Sequence, residues 1–129
     1  MFPSHRILIL DDEPTIRDSL TAFLEDFGYE TVSAPCAEDA EKILGNESFS
    51  LGIIDLRLPG ISGDIFIQKI HHQHPMMRFL IHTGSVEFTL SAELGECGVD
   101  PSHIFIKPLK NLNLLLDAVK ILLKGAGDA

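Results

Sequence analysis

Four short apolar runs, each ending in a residue able to do chemistry, constrain this chain more than anything else in it. The run from Arg6 to Leu10 meets Asp11 and Asp12, and the run from Leu51 to Ile54 meets Asp55. The run from Phe79 to His82 meets Thr83, and the run from His103 to Ile106 meets Lys107 and Pro108. Short apolar runs separated by amphipathic stretches read as buried parallel strands joined by helices. In open sheets of that kind, ligands sit beyond the carboxyl ends of the strands. One sheet edge then collects three carboxylates, a hydroxyl and an ammonium, the inventory for holding a divalent cation and a phosphoryl group.

The stretches between the runs carry helical periodicity. Ile16, Leu20, Phe23, Leu24 and Phe27 form one stripe, opened by Pro14, which suits a first helical turn, and closed by Gly28. A second short strand covers Glu30 to Ser33, and a helix runs from about Ala37 to Leu44 before Gly45. A third helix spans Gly63 to about His72, with Phe66, Ile67 and Ile70 facing inward. The segment from Glu87 to Cys97 holds a short helix near Ser91 to Glu96, interrupted by Gly95, and the last helix covers Leu112 to Leu123. Five strand–helix units without a glycine-rich dinucleotide fingerprint predict an α/β fold. The expected architecture is a flavodoxin-like doubly wound (βα)5 with a five-stranded parallel sheet of order 2-1-3-4-5 and helices on both faces. Strands 1 and 3 are neighbours in that order, so Asp11, Asp12 and Asp55 converge.

The 129 residues fit one domain, with a core from about 6 to 124, a frayed tail at 125–129 and no output domain after the last helix. The chain is expected to be a stand-alone unit or a fragment of a longer one. Nineteen acidic residues against ten basic give a net charge of −9, and no basic stripe offers to neutralise phosphates, so direct nucleic-acid binding is not expected. No run approaches the roughly 18 apolar residues of a membrane helix. Cys36 and Cys97 form neither a metal spacing nor a disulfide framework, which fits small buried or half-buried thiols in a reducing cytoplasm.

Crowded carboxylates repel one another unless cations compensate them. Lys107 supplies one positive charge and Mg²⁺ would supply more, so a Mg²⁺ site is expected at Asp12 and Asp55, with Asp11 acting directly or through water. A carboxylate can also attack phosphorus to form an acyl phosphate, which gives Asp55 a role as nucleophile. Lys107 would neutralise phosphoryl oxygens, and Thr83 and the Gly84 backbone N–H would hydrogen-bond to them. Each element also has an ordinary explanation: Asp12 and Glu13 as acids at a helix start, Asp55 as a turn residue, Thr83 and Gly84 as turn chemistry, Lys107 as a surface lysine.

Taken in order, Asp11-Asp12, Asp55 with Pro59-Gly60, Thr83-Gly84 and Lys107-Pro108 resemble the receiver domain of two-component response regulators, from Arg6 to about Leu123. The resemblance implies that Asp55 takes a phosphoryl group from a phosphohistidine on a sensor histidine kinase or a histidine phosphotransfer protein. It implies that Asp11, Asp12, Asp55 and the backbone carbonyl of Arg57 hold Mg²⁺. It implies that Thr83 and Lys107 sense the phosphoryl group and reposition the fourth and fifth units. Arg57 and Ser85 occupy the two positions that tune phosphoryl lifetime in this family, and a long Arg57 could screen the phosphoryl group from water. The family's aromatic switch, three residues before the lysine, is Ile104 here. Phe105 beside it falls on the opposite strand face and is expected in the core.

In the last helix, Leu112, Leu115, Leu116, Val119, Leu122 and Leu123 form the core stripe, while Leu114 and Ile121 lie on the other side. The resemblance implies that the fourth and fifth units form a homodimer or downstream-partner surface there. His71, His72 and His74 at a helix end suit its dipole better than a metal. His82, on the strand face opposite Thr83, is expected to be structural. A receiver-like scaffold that works without phosphorylation remains open. A Mg²⁺-dependent phosphohydrolase would place a second acid where Arg57 stands, and an electron carrier of flavodoxin type would need a phosphate loop where Asp11 to Pro14 stand.

Overall fold

Side chains alternate across each central strand, and both faces of the sheet are buried. In the computed structural model, which describes residues 5–85 and 90–127, five strands form one parallel sheet of order β2-β1-β3-β4-β5. They are β1 (Arg6–Leu10), β2 (Glu30–Ala34), β3 (Leu51–Ile54), β4 (Arg78–Thr83) and β5 (Ile104–Ile106). The helices are α1 (Pro14–Asp26), α2 (Ala37–Leu44), α3 (Gly63–Gln73), α4 (Ala92–Glu96) and α5 (Leu112–Gly127). Leu8, Leu10, Ile54, Phe79 and Ile81 pack against residues of α2, α3 and α4 on one face. Ile7, Ile9, Leu51, Ile53 and Leu80 pack against α1 and α5 on the other. A period of two with both faces covered explains why these strands read as continuous apolar runs. The predicted fold class and strand order are therefore observed.

Register carries the run endings to one edge. Leu10 pairs with Ala34 and with Ile54, Ile54 pairs with Ile81, and Thr83 pairs with Ile106. The Asp11 N–H donates to the Ala34 carbonyl at 3.2 Å, and the Asp55 N–H donates to the Leu10 carbonyl at 2.9 Å. The ladder thus extends one residue past the strands and fixes both aspartates at the sheet's carboxyl edge.

Several local expectations shift. Phe27 is the C-cap of α1 rather than part of its buried stripe; it is 48 % exposed, with its ring centroid 5.2 Å from that of Phe23. Gly28 follows at φ +89°, a conformation that costs glycine least, and turns the chain into β2. Gly95 does not interrupt α4 but lies within it, and Ser91 caps the helix by accepting the Leu94 N–H at 3.2 Å. His103 belongs to a 3-10 turn, Pro101–His103, in which its Nδ1 accepts the Asp100 N–H, so β5 starts one residue later than expected. Phe105 is half-buried against the α1/α5 layer rather than in the core, since β5 is an edge strand. Helix α5 runs through Gly127, beyond the Leu123 end expected from its apolar stripe. The expected features at Glu87 to Thr89 and the final two residues lie outside the described residues. Cys36 and Cys97 are both free thiols. Among the described residues, no helix is long and apolar enough to cross a membrane.

Candidate functional site

The acidic residues meet where the topology directs them. One carboxylate oxygen from each of Asp11, Asp12 and Asp55 lies within 4.8 Å of the other two, the only such group of potential metal ligands among the described residues. Asp11 and Asp55 are buried, at 2 % and 4 % exposure, whereas Asp12 faces solvent. Two like charges about 4 Å apart repel by on the order of 4 kcal/mol at the effective dielectric near a protein surface. Lys107 reduces that repulsion: its Nζ lies 2.8 Å from Asp11 Oδ2, 3.0 Å from Asp55 Oδ2 and 3.3 Å from Glu13 Oε2.

Backbone donors orient the carboxylates further. The Glu13 N–H donates to Asp11 Oδ1 at 2.9 Å, and the Arg57 N–H donates to Asp55 Oδ1 at 3.1 Å. Arg17 Nη1 donates to the Asp11 carbonyl at 2.7 Å and ties α1 to the end of β1. Burial pushes the Asp11 carboxyl above its usual range, although Lys107 and the Glu13 N–H pull it back. Burial works against the Lys107 charge too, but Asp11 and Asp55 outweigh it and raise the ammonium pKa, so Lys107 is a fixed cation.

Lys107 is aimed by its backbone. Its N–H donates to the Thr83 carbonyl at 2.7 Å, and the following bond to Pro108 is cis. Thr83 is fully buried at the end of β4, where its hydroxyl accepts the Ser85 N–H at 3.2 Å. Thr83, Gly84 and Ser85 share the sheet edge with the acids. The structure brings Asp11, Asp12 and Asp55 together and sets Lys107 against Asp11 and Asp55. The Arg57 side chain is exposed. Glu13 is the participant that sequence reasoning missed. Its place before Pro14 reads as an acid that favours a helix start, but as N-cap of α1 its side chain makes no cap bond and instead reaches Lys107. The signal was present in three consecutive acids ending at Pro14.

A second backbone contact shapes the loop after Asp55. The Gly63 N–H donates to the Leu56 carbonyl at 3.0 Å, and a Cβ at Gly63 would fall 2.2 Å from the Asp55 carbonyl oxygen. No side chain fits there, so the start of α3 rests directly on the backbone that carries Asp55.

The donor set suits a hard divalent cation, since carboxylate oxygens crowd together with too little positive charge to balance them. A TrrA structure from Thermotoga maritima, described as a complex with Mg(2+)-BeF, is 29 % identical, with a TM-score of 0.80 over 92 % of this chain and 98 % of that one. TrrA has also been solved in complex with the histidine kinase ThkA, at 29 % identity and a TM-score of 0.78. A CheY-like receiver domain protein from Methanospirillum hungatei JF-1 is 32 % identical, with a TM-score of 0.87 over 96 % of this chain and 97 % of that one. The transcriptional regulatory protein AruR of Pseudomonas aeruginosa is 32 % identical over 91 % of this chain and 49 % of its own length. The chain spans about half or less of the curated relatives it matches. The model of the response regulator receiver domain matches residues 7–120, from the first strand into the last helix and across every residue of the acidic site. With that match, the sheet order and the acidic edge in agreement, the chain belongs to the response regulator receiver domain family.

Proposed function

We propose that this chain accepts a phosphoryl group on Asp55 from a phosphohistidine of a sensor histidine kinase or histidine phosphotransfer protein. The carrying observation is the placement of Asp55 between a neighbouring acid pair and the Lys107 ammonium, 3.0 Å from its Oδ2. In the transfer, an Asp55 oxygen bonds to phosphorus, the phosphorus–nitrogen bond of the donor breaks, and its electron pair returns to the imidazole. Asp11, Asp12, Asp55 and the Arg57 carbonyl are the groups that would hold Mg²⁺, which supplies positive charge against the phosphoryl oxygens when bound.

The chain's own residues do the rest. Lys107 neutralises a phosphoryl oxygen and gives up part of its contact with Asp55. The Thr83 hydroxyl turns from the Ser85 N–H to donate to a second oxygen, with the Gly84 N–H beside it. Because the Lys107 N–H is bonded to the Thr83 carbonyl, both movements act on the ends of β4 and β5. Signalling then proceeds by protein contacts or onward phosphoryl transfer, with Leu114 and Ile121 on α5 as the surface for a second copy.

The test is intact mass after incubation with acetyl phosphate and Mg²⁺, beside an Asp55→Asn control. One phosphoryl addition that requires both Mg²⁺ and Asp55 is expected. Addition to the Asp55→Asn protein would refute the assignment. Failure with acetyl phosphate and with a phosphohistidine donor, while Mg²⁺ binds, would leave a receiver-like scaffold.

A further inference from the structure

His82 is buried on β4 at 4 % exposure, and neither ring nitrogen has a hydrogen-bond partner or reaches solvent. Leaving a polar ring unsatisfied in the interior costs stability, and such a group calls for a physical account. The ring lines a cavity of about 140 Å³, open to solvent on one side, between α1, the end of β5 and the start of α5. Ile16, Leu20, Leu109 and Leu112 supply apolar walls, and Ser19, which is exposed, stands at the edge. Lys107 completes the wall, but its ammonium is already engaged by Asp11, Asp55 and Glu13. Burial and the nearby Lys107 charge lower the His82 pKa to about 4, so at neutral pH the ring offers one donor and one acceptor.

We propose that this cavity binds a neutral, ring-sized molecule bearing one hydroxyl group. An apolar cavity of roughly 150 Å³ accommodates one benzene-sized molecule. A hydroxyl both donates and accepts, so it satisfies whichever imidazole nitrogen it meets. A charged head is disfavoured, because the walls are apolar and the one cation present is committed to three carboxylates. In the observed rotamer neither nitrogen opens onto the cavity, and binding turns the ring about its terminal torsion, which is broad in histidine, to present one. The occupant then supplies the partner that the fold withholds. Binding does not require phosphorylation, so a chain that takes no phosphoryl group still tests it.

The experiment is a titration of the full chain with phenol, and separately with toluene, followed through the NMR signals of the His82 ring. Phenol is expected to shift them saturably and to bind at least tenfold more tightly than toluene. His82→Leu is expected to erase that preference, read through signals of Leu112, and Ser19→Leu, at the exposed edge, to weaken both ligands. A shift that does not saturate, equal affinity for phenol and toluene, or a phenol preference that survives His82→Leu would each overturn the proposal.

Discussion

Lys107 Nζ lies 3.0 Å from Asp55 Oδ2, across 52 residues of sequence. The contact spans β3 to β5, two strands apart in the sheet, and β4 between them supplies the Thr83 carbonyl that aims the lysine. The lysine offsets the acid cluster, and under the proposed function it stands where a phosphoryl group on Asp55 would place its charge.

Removing that ammonium leaves buried carboxylates facing one another. Lys107→Met is expected to destabilise the metal-free protein by about 1–3 kcal/mol. Added Mg²⁺ is expected to restore most of the loss, because a cation that binds only the folded chain stabilises it by mass action. Urea denaturation with and without Mg²⁺ measures both effects, and equal midpoints for the two proteins without Mg²⁺ would refute the electrostatic role.

Gly63 has no room for a methyl group, since its Cβ would overlap the Asp55 carbonyl and Leu56 Cα. Gly63→Ala is expected to cost about 1–3 kcal/mol or more through overpacking against backbone. Gly95→Ala is the control, because nothing lies within 4 Å of its Cβ position in α4 and alanine favours a helix by about 1 kcal/mol. Opposite signs for the two substitutions in chemical denaturation are expected.

His82 makes stability depend on pH. Its pKa is lowered to about 4 in the folded chain, chiefly by burial and then by Lys107, from an ordinary value of 6.5. Between those values the unfolded chain binds more protons, so stability is complete above the unfolded pKa and falls as pH drops toward 4. The loss is on the order of 3 kcal/mol. His82→Leu is expected to remove this slope, measured as the difference between the two proteins' unfolding free energies from pH 7 to pH 4; parallel curves would contradict it.

Leu114 and Ile121 are 53 % and 71 % exposed on α5 and border a groove that also touches Phe105. Under the proposed contact with a second copy, changing Leu114 to Ser and Ile121 to Lys is expected to weaken that contact at least about tenfold, while leaving stability within roughly 0.5 kcal/mol. Sedimentation across a concentration series reads the first effect, and an oligomeric state that ignores both changes would exclude this face.

Much of the architecture is a local property of the chain. The run from Ile7 to Leu10 is apolar on both faces, so only a strand covered on both sides can hold it, and the stripe through Ile16, Leu20 and Leu24 needs a helix. Run endings then place Asp11, Asp55, Thr83 and Lys107 at strand termini, because residues that follow a buried strand emerge at its edge. What depended on tertiary structure was every property set by neighbours distant in sequence. Phe27 fits a helical stripe, yet the helix ends before it and its ring stays half in water. Glu13 looks like a helix-start acid until β5 brings Lys107 within 3.3 Å. Phe105 looks like core until the sheet ends at β5. His82 alternates like any strand residue, and only the packing of α1 and α5 around it decides that its nitrogens find neither water nor partner. Periodicity states which side chains leave water; strand order and helix packing decide which of them meet.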